Sequence, residues 1–238
     1  MCIRDSSGTI SGVQNGVYFG NAVDGVGADH SEGVFNNLEG GVISSDSRAF
    51  NIDGTGLTLN NAGTIIGTGV QRNGTLYSDG TATDFTVINS GTIDAGVEGS
   101  GFAAEIGPDG NAFTFDNSGT IQGRGTVDAA DGFRVGNPGN IGTATVAITN
   151  SGLINSESTT GTTAGLRFVN GISFAGTIDN SGTISGAQNG VYFGNAVAGE
   201  GADHSNGVFN NLAGGIISSD SRAFNLSLIH ISEPTRPY

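Results

Sequence analysis

The stretch Asn89-Ser90-Gly91-Thr92-Ile93 recurs in related forms along the whole chain, and it decides the fold. Its glycine is found eight times, and an isoleucine stands two positions after every copy. The glycines are Gly8, Gly41, Gly63, Gly91, Gly119, Gly152, Gly182 and Gly215, and the isoleucines are Ile10, Ile43, Ile65, Ile93, Ile121, Ile154, Ile184 and Ile217. A short unit repeated this strictly predicts a solenoid, in which every turn places the same residues at the same corner.

The spacing between successive glycines varies from 22 to 33 residues, which suits a solenoid whose loops differ in length. Asparagine precedes the glycine by two positions in five units, and in two others it precedes a two-residue insertion. These residues are Asn61, Asn89, Asn117, Asn150 and Asn180, then Asn37 and Asn211. Asn and Gly adopt left-handed backbone conformations more readily than other residues, so they are expected to supply such conformations at a tight corner.

Two further apolar segments lie between successive corners, such as 132–135 and 146–148. They are short, rich in β-branched and aromatic residues, and bounded by Gly, Asn, Asp and Ser, as strands are. One unit cannot bury its own apolar face, whereas stacked units share a core. The sequence therefore predicts an all-β, right-handed parallel β-helix with about three short strands per coil and roughly seven coils. The Ile column should point inward, and the Asn column should form a ladder of side-chain amides.

Both ends of the chain differ from the repeats. Back-translation of residues 1–5 and 226–236 gives the end sequence that a tagmentation transposase leaves on sequencing libraries. We therefore expect 1–6 and 226–238 to be adapter-derived, and expect them to lack repeat contacts unless an open end coil captures them. The remaining 7–225 is a repeat segment without cysteine, so it has no disulfide framework and no thiolate metal site.

A longer repeat overlies the short one. Residues 7–51 return as 181–225 with 39 of 45 positions identical. Duplication of a six-coil block explains this most simply, and an assembly error across repeated DNA is the alternative.

The segment 7–225 is acidic throughout, with six Arg, no Lys and the whole net charge of -14. Such a surface repels phosphate backbones and anionic lipid headgroups, which argues against nucleic acid and membrane-surface partners. No run of about 18 apolar residues is present, so no membrane-spanning helix is predicted.

The strings Asn89-Ser90-Gly91-Thr92-Ile93 and 117–121 resemble the passenger repeats of bacterial autotransporters, and the resemblance covers essentially all of 7–225. It implies a β-helix that a C-terminal translocator barrel of the full-length protein exports to the cell surface or the medium. It also implies an adhesin whose partners are cell-surface glycans or matrix proteins. Filamentous haemagglutinin-like proteins carry similar repeats, so the motif is specific for fold and weak for activity.

Other parallel β-helices cleave polysaccharides, so a carbohydrate-active lyase or hydrolase is the alternative function. Such sites need clustered carboxylates, often with Lys or Arg, and here the arginines are scattered along the sequence. Arg48 and Arg222 occupy equivalent places beside Asp46 and Asp220, which predicts surface ion pairs. His30 and His204 are also equivalent, with no nucleophile or metal ligand visible nearby.

The acidic residues Asp24, Asp29 and Glu32 could bind calcium through hard oxygen ligands. The second copy replaces two of them by Ala198 and Asn206, which argues against a required site. We therefore assign no catalytic, cofactor-binding or metal-ligating residue and no cofactor. The sequence predicts a non-enzymatic, adhesive segment.

Overall fold

The chain is described here from a computed structural model. It describes residues 3–20, 28–30, 33–68, 74–78, 82–96, 101–107, 112–125, 130–136, 142–159, 161–194 and 202–226. All regular elements in these residues are strands, and no helix that could cross a membrane is found among them.

The described residues form 25 strands. In chain order they are β1 Ile3–Ser6, β2 Thr9–Gly12, β3 Asn15–Gly20, β4 Ala28–Asp29, β5 Val34–Asn37, β6 Val42–Ser45, β7 Arg48–Thr55, β8 Thr58–Asn61, β9 Thr64–Gly67, β10 Leu76–Ser78, β11 Phe85–Asn89, β12 Thr92–Asp94, β13 Ala104–Ile106, β14 Ala112–Asn117, β15 Thr120–Gly123, β16 Phe133–Val135, β17 Gly142–Asn150, β18 Leu153–Ser156, β19 Ala164–Phe168, β20 Ile172–Asn180, β21 Thr183–Gly186, β22 Asn189–Phe193, β23 Gly207–Asn211, β24 Ile216–Ser219 and β25 Arg222–Leu226.

These strands form three parallel sheets that run the length of the solenoid. Sheet A contains β1, β5, β8, β11, β14, β17, β20 and β23; sheet B contains β2, β6, β9, β12, β15, β18, β21 and β24; sheet C contains β3, β7, β10, β13, β16, β19, β22 and β25, with β4 added beside β7. Each strand pairs with its counterpart one coil further on, so one coil takes one strand from each sheet. The predicted right-handed parallel β-helix with three strands per coil is confirmed. Each sheet has eight rungs, one per coil, so the described strands form eight coils against the roughly seven predicted.

The core consists of stacked columns of inward side chains from all three sheets. In sheet B the six inner isoleucines of the corner repeat are fully buried, while Ile10 and Ile217 in the end coils are partly buried against the same core. This confirms the inward Ile column. The columns from the other two sheets vary in size: Phe35, Leu59, Val87, Phe115, Ile148 and Ile178 from sheet A, and Phe50, Leu76, Ala104, Phe133, Leu166 and Val191 from sheet C. Burial of each large apolar side chain contributes about 1.5 to 3 kcal/mol.

The asparagines form a continuous ladder at the corner between sheets A and B, as predicted. The Nδ2 of each Asn donates to the Oδ1 of the next at 2.7 Å, from Asn37 to Asn211, in six successive bonds. The same Nδ2 atoms also approach backbone carbonyls, such as that of Leu153 at 3.2 Å from Asn117. The inner members are 0–1% exposed. The ladder therefore satisfies a row of buried amides that would otherwise be costly.

The expected left-handed corner is wrong for most coils. Positive φ occurs at Gly40 (78°) and Gly214 (87°), in the two corners with the insertion, whereas the glycines of the Asn-Ser-Gly-Thr-Ile strings keep negative φ. A Cβ at Gly91, Gly119, Gly152 or Gly182 would lie well inside 3.0 Å of the carbonyl oxygen of the glycine one coil before. Glycine is therefore needed because two backbones approach closely at this corner.

Segment 1–6 is partly built into the solenoid. Strand β1 pairs with β5, and Ser6 stands beside Asn37. The terminal segment was expected to lack repeat contacts unless the open edge of an end coil captured it, and this exception applies here. Because Ser6 replaces an asparagine at this rung, the buried Oδ1 of Asn37 accepts no hydrogen bond from the described residues.

Candidate functional site

A column of polar and charged residues occupies the central position of the sheet C strands. From coil to coil the register pairs Tyr77 with Glu105, Glu105 with Arg134, Arg134 with Arg167, and Arg167 with Tyr192. Four of these five residues, Tyr77, Glu105, Arg134 and Tyr192, are only 3–9% exposed although their strand neighbours face the core. The arginines that the sequence scatters are therefore partly brought together, which corrects the expectation drawn from their spacing.

The charged column coincides with the coils that have the longest connection from sheet B to sheet C. From the corner isoleucine to the central sheet C residue, the chain takes 8 residues in the first two and last two coils. It takes 12 in the coils of Tyr77 and Glu105, and 13 in those of Arg134 and Arg167. The described parts of these longer connections contact the charged side chains, which we call the clasp cluster: Arg48, Glu105, Asp131, Arg134 and Arg167.

Glu105 holds the connection that precedes β10. Its Oε2 accepts a hydrogen bond from the backbone N–H of Gly74 at 3.0 Å, and the side chain is 3% exposed. Arg134 lies beside it in the neighbouring strand. The carboxyl therefore ties one coil to a loop of the coil before it.

Asp131 plays the corresponding part in the connection before β16. It is fully buried, and its Oδ1 accepts from the N–H of Ala164 at 2.8 Å while Oδ2 lies 3.4 Å from Arg167 Nη1. The same Arg167 nitrogen donates to the carbonyl of Thr162 at 2.6 Å. A buried pair with additional hydrogen bonds on both partners fixes geometry more than it adds net stability.

Each arginine of the cluster also lies over an aromatic ring. The guanidinium of Arg48 is 3.9 Å from the ring centre of Tyr77, Arg134 is 4.1 Å from that of Phe102, and Arg167 is 5.4 Å from that of Tyr192. Such cation–π contacts are more favourable in desolvated surroundings. They cover the sheet C face with stacked planar groups.

Burial dominates the titration of this cluster. It raises the pKa of Glu105 to about 7, against the opposing charge of Arg134 and the hydrogen bond from Gly74. Burial also raises the pKa of Asp131, opposed first by Arg167, and it lowers the pKa of the Arg134 guanidinium. A carboxyl that titrates near neutrality is suited to proton transfer if a substrate can reach it.

Glu105→Gln is expected to stabilise the fold at alkaline pH and to leave it unchanged at acidic pH. A carboxyl whose pKa rises from 4.5 unfolded to about 7 folded contributes stability that is complete below about pH 4.5 and is lost as the pH rises through about 7. Glutamine keeps the acceptor for Gly74 without this loss, so the gain at pH 8 is up to about 3 kcal/mol. Urea unfolding at pH 4.5 and pH 8 measures it.

The exposed carboxyl of Glu157, which lies 3.7 Å from Arg124, provides the matched control. Glu157→Gln makes the same chemical change at the surface and should alter the pH profile little. Equal profiles for the wild-type chain and Glu105→Gln would contradict the assignment.

The sequence predicts surface ion pairs between Asp46 and Arg48 and between their counterparts in the second copy, and the structure gives these residues the following contacts. Asp46 Oδ1 accepts from the Thr68 hydroxyl at 2.8 Å, while Arg48 belongs to the clasp cluster. Their counterparts Asp220 and Arg222 are exposed in the last coil.

The two histidines pack on phenylalanines. The ring of His30 meets Phe19 edge to face at 5.6 Å, and the ring of His204 lies 5.1 Å from Phe193. Burial lowers the pKa of His204, as expected for a neutral ring that helps close the end of the core.

The acidic residues considered for calcium cannot be placed in full. Asp24 and Glu32, like Ala198 of the second copy, lie outside the described residues, as does the side chain of Asp29. Within the described part of the chain, no group of three or more His, Cys, Asp or Glu residues could hold a metal ion.

Open depressions of the surface lie away from the clasp cluster. One is lined by Asn155, Glu157, Ser185 and Asp220 among others, and another lies over the first residues of β11, β14 and β17. Neither contains Glu105 or Asp131. Glu105 and Asp131 are themselves buried, at 3% and 0% exposed.

Comparison with known proteins finds no match. No family model, curated protein or solved structure matches the chain.

Proposed function

We propose that the chain is a structural and adhesive segment of a secreted or surface-displayed bacterial protein of the autotransporter type. The observation that carries the proposal is the unbroken Asn ladder from Asn37 to Asn211 at 2.7 Å per bond. It extends the same scaffold from the second coil to the eighth, while connections of 8 to 13 residues vary at another corner. A rigid support with variable loops is the arrangement in which loops carry recognition.

The buried charges support the same function. Glu105 and Asp131 accept hydrogen bonds from backbone N–H groups, and Arg167 donates one to a backbone carbonyl. Groups engaged in this way hold loop shape. On this proposal the exposed loops and polar sheet faces contact glycans or matrix proteins outside the cell.

Adhesion is tested directly with the purified chain on fluorescent beads, applied to arrays of glycans, matrix proteins and whole cells. We expect binding to a subset of these surfaces that free chain competes away. Matched beads carrying chain unfolded in urea and washed should not bind. If the chain binds none of the three kinds of surface in a way that free chain competes away, the proposal is wrong.

A carbohydrate-active enzyme is the second candidate, favoured by one observation. Glu105 has a pKa of about 7 next to Arg134, and Asp131 lies close enough to influence it. An opening of the covering loops would present an acid and a cation to a polysaccharide. Incubation with neutral and acidic polysaccharides, followed by assay of new reducing ends, separates the two functions. Turnover that is lost in Glu105→Gln and retained in Glu157→Gln would replace adhesion by catalysis.

A further inference from the structure

A short turn between β19 of sheet C and β20 of sheet A contains the dipeptide Asn170-Gly171. The N–H of Ile172 donates to the carbonyl of Val169 at 3.2 Å, which closes a β-turn around these two residues. Gly171 has a φ of 87°, whereas the φ of Asn170 is negative, which is the pattern of a type II turn. Asn170 is exposed at the tip of this turn, while Val169 and Ile172 are buried on either side of it.

An Asn-Gly dipeptide can react with itself, because the backbone nitrogen of the glycine can reach the side-chain amide of the asparagine. Attack of the Gly171 nitrogen on Cγ of Asn170 forms a five-membered ring. The N–Cγ bond forms, the Cγ–Nδ2 bond breaks, and Nδ2 leaves as ammonia with the proton that the Gly171 nitrogen loses. Water then opens the cyclic imide at one of its two carbonyls, which leaves aspartate or isoaspartate at position 170. Glycine favours the reaction because it has no Cβ to obstruct the attack.

The structure places a hydrogen-bond donor on the carbonyl that is attacked. The hydroxyl of Tyr192, in the neighbouring strand β22, donates to Oδ1 of Asn170 at 3.2 Å. When the ring closes, negative charge develops on this oxygen. A donor already in place stabilises the charged oxygen more than the neutral carbonyl, so it lowers the barrier.

Three other Asn-Gly pairs begin at described residues, namely Asn15, Asn189 and Asn206. Asn189 lies within β22, is 4% exposed, and donates to the carbonyl of Thr163 at 2.9 Å. It has to leave this strand before a ring can close. At Asn206 the nitrogen that would attack is engaged, since the N–H of Gly207 donates to the carbonyl of His204 at 3.0 Å. The fold therefore distinguishes pairs that the sequence makes alike.

We propose that Asn170 is a spontaneous modification site, at which the folded chain forms a cyclic imide and then aspartate or isoaspartate, with the Tyr192 hydroxyl promoting ring closure. Water is the only co-reactant. The modification does not depend on the proposed adhesive function, because the reacting atoms all belong to one turn and its neighbouring strand.

The isoaspartate product changes the corner, whereas the aspartate product does not. Isoaspartate carries the backbone through the former side chain and so adds a methylene to the turn. The turn cannot absorb it easily, because Val169 and Ile172 are 1% and 0% exposed and both pack against Gly136. A Cβ at Gly136 would lie 2.5 Å from Cγ1 of Ile172 and 2.6 Å from Cγ2 of Val169, so no slack is present beneath the turn. Isoaspartate therefore loosens this corner, and its fraction records the age of the chain.

The first test follows each Asn-Gly pair in the full chain during incubation at neutral and at mildly alkaline pH. Peptide mass spectrometry gives the rate at each asparagine, and methylation by an isoaspartate-specific methyltransferase detects that product. We expect Asn170 to react at least about tenfold faster than Asn189, which needs local opening, and to react faster at alkaline pH. Asn170→Gln should abolish the signal, because a six-membered ring closes more slowly. Equal rates at Asn170 and Asn189 would overturn the proposal.

The role of the tyrosine is tested separately with Tyr192→Phe, which removes the donor and keeps the ring. The rate at Asn170 should fall by about threefold to tenfold, as expected for one neutral hydrogen bond. The matched control is Tyr18→Phe in the duplicate, where the hydroxyl donates to Oδ2 of Asp53 at 2.7 Å, and it should leave the rate unchanged.

The same rates measured in urea separate the effect of the fold from that of the dipeptide. In the unfolded chain Asn170 and Asn189 should react alike, and Tyr192→Phe should have no effect there. An unchanged or faster reaction of folded Tyr192→Phe, or a preference for Asn170 that persists in urea, would show that the turn and Tyr192 do not promote the reaction, and the proposal would fail.

Discussion

Gly119→Ala is expected to lower the free energy of unfolding by about 3 kcal/mol or more, because a methyl group cannot be placed at this corner without moving backbone. The added Cβ would lie against the carbonyl oxygen of Gly91, and the carbonyl carbon of Ser90 is also inside 3.0 Å. Both atoms belong to the coil below, and neither is the end of a flexible side chain. Separation of the two coils would in turn lengthen the hydrogen bonds around Asn117. Urea unfolding followed by circular dichroism measures the loss.

Gly8→Ala is the matched control, since the chain offers the same substitution at the same corner position without a coil beneath it. No atom lies within 4 Å of the Cβ that would be added at Gly8. The change should be neutral or stabilise by up to about 1 kcal/mol, because alanine restricts the unfolded chain. A similar loss for Gly8→Ala and Gly119→Ala would show that intrinsic backbone preference, and not the close approach of coils, explains the glycine column.

The core register could be predicted from the sequence because it depends on short spacings. Glycine and isoleucine are two positions apart in every unit, and alternation along a strand sends one of two neighbours inward. Ile121 and Asn117 therefore each align with their counterparts whatever the loop length. The left-handed corner was predicted wrongly for a related reason. Residue preference reports which φ angles glycine tolerates, but it does not report how closely the next coil approaches Gly119.

The clasp cluster was missed because its members meet only through the fold. Glu105, Arg134 and Arg167 are about 30 residues apart, and each stands alone between apolar neighbours. A lone charge in a short apolar strand is ordinarily assigned to a solvated face. The signal that could have located the cluster is the distance from the corner isoleucine to the central sheet C residue, which is 12 or 13 residues in the four middle coils and 8 in the other four. A longer connection can cover the central residue of the strand, and a charge that is buried in this way needs partners.

The two ladders have different consequences for function. The Asn ladder is uniform from Asn37 to Asn211, which is the condition for duplication of a block of coils. Apart from Arg48 in the second coil, the clasp cluster belongs to the four middle coils and holds loops of particular lengths. The scaffold and the surface that it displays can therefore change separately.

Asn117→Ala is expected to lower the free energy of unfolding by about 3 kcal/mol, since it removes a central rung of the ladder. Asn117 accepts from Asn89 and donates to Asn150, both at 2.7 Å, and it is 0% exposed. Its removal leaves the Oδ1 of Asn150 buried without a donor and weakens the bonding of the Asn89 amide. Water cannot replace the lost partners unless a cavity opens, which adds its own cost.

The last rung supplies the control. Asn211 accepts from Asn180 at 2.7 Å, but its own Nδ2 donates at 2.9 Å to the carbonyl of Gly215, and the side chain is exposed. Asn211→Ala should cost less than about 1 kcal/mol, because solvent reaches the group left behind. Equal costs at the two rungs would mean that the ladder contributes nothing beyond single hydrogen bonds.

Asn117→Asp separates the donor from the acceptor half of the rung. The carboxylate can still accept from Asn89, but it cannot donate to Asn150, and it introduces a buried charge. At neutral pH this variant should be less stable than Asn117→Ala. At acidic pH the protonated carboxyl regains a donor, so the penalty should shrink there, while that of Asn117→Ala should stay constant relative to the unsubstituted chain. Urea unfolding of both variants at two pH values decides whether the ladder requires directional amides or only a side chain of that size.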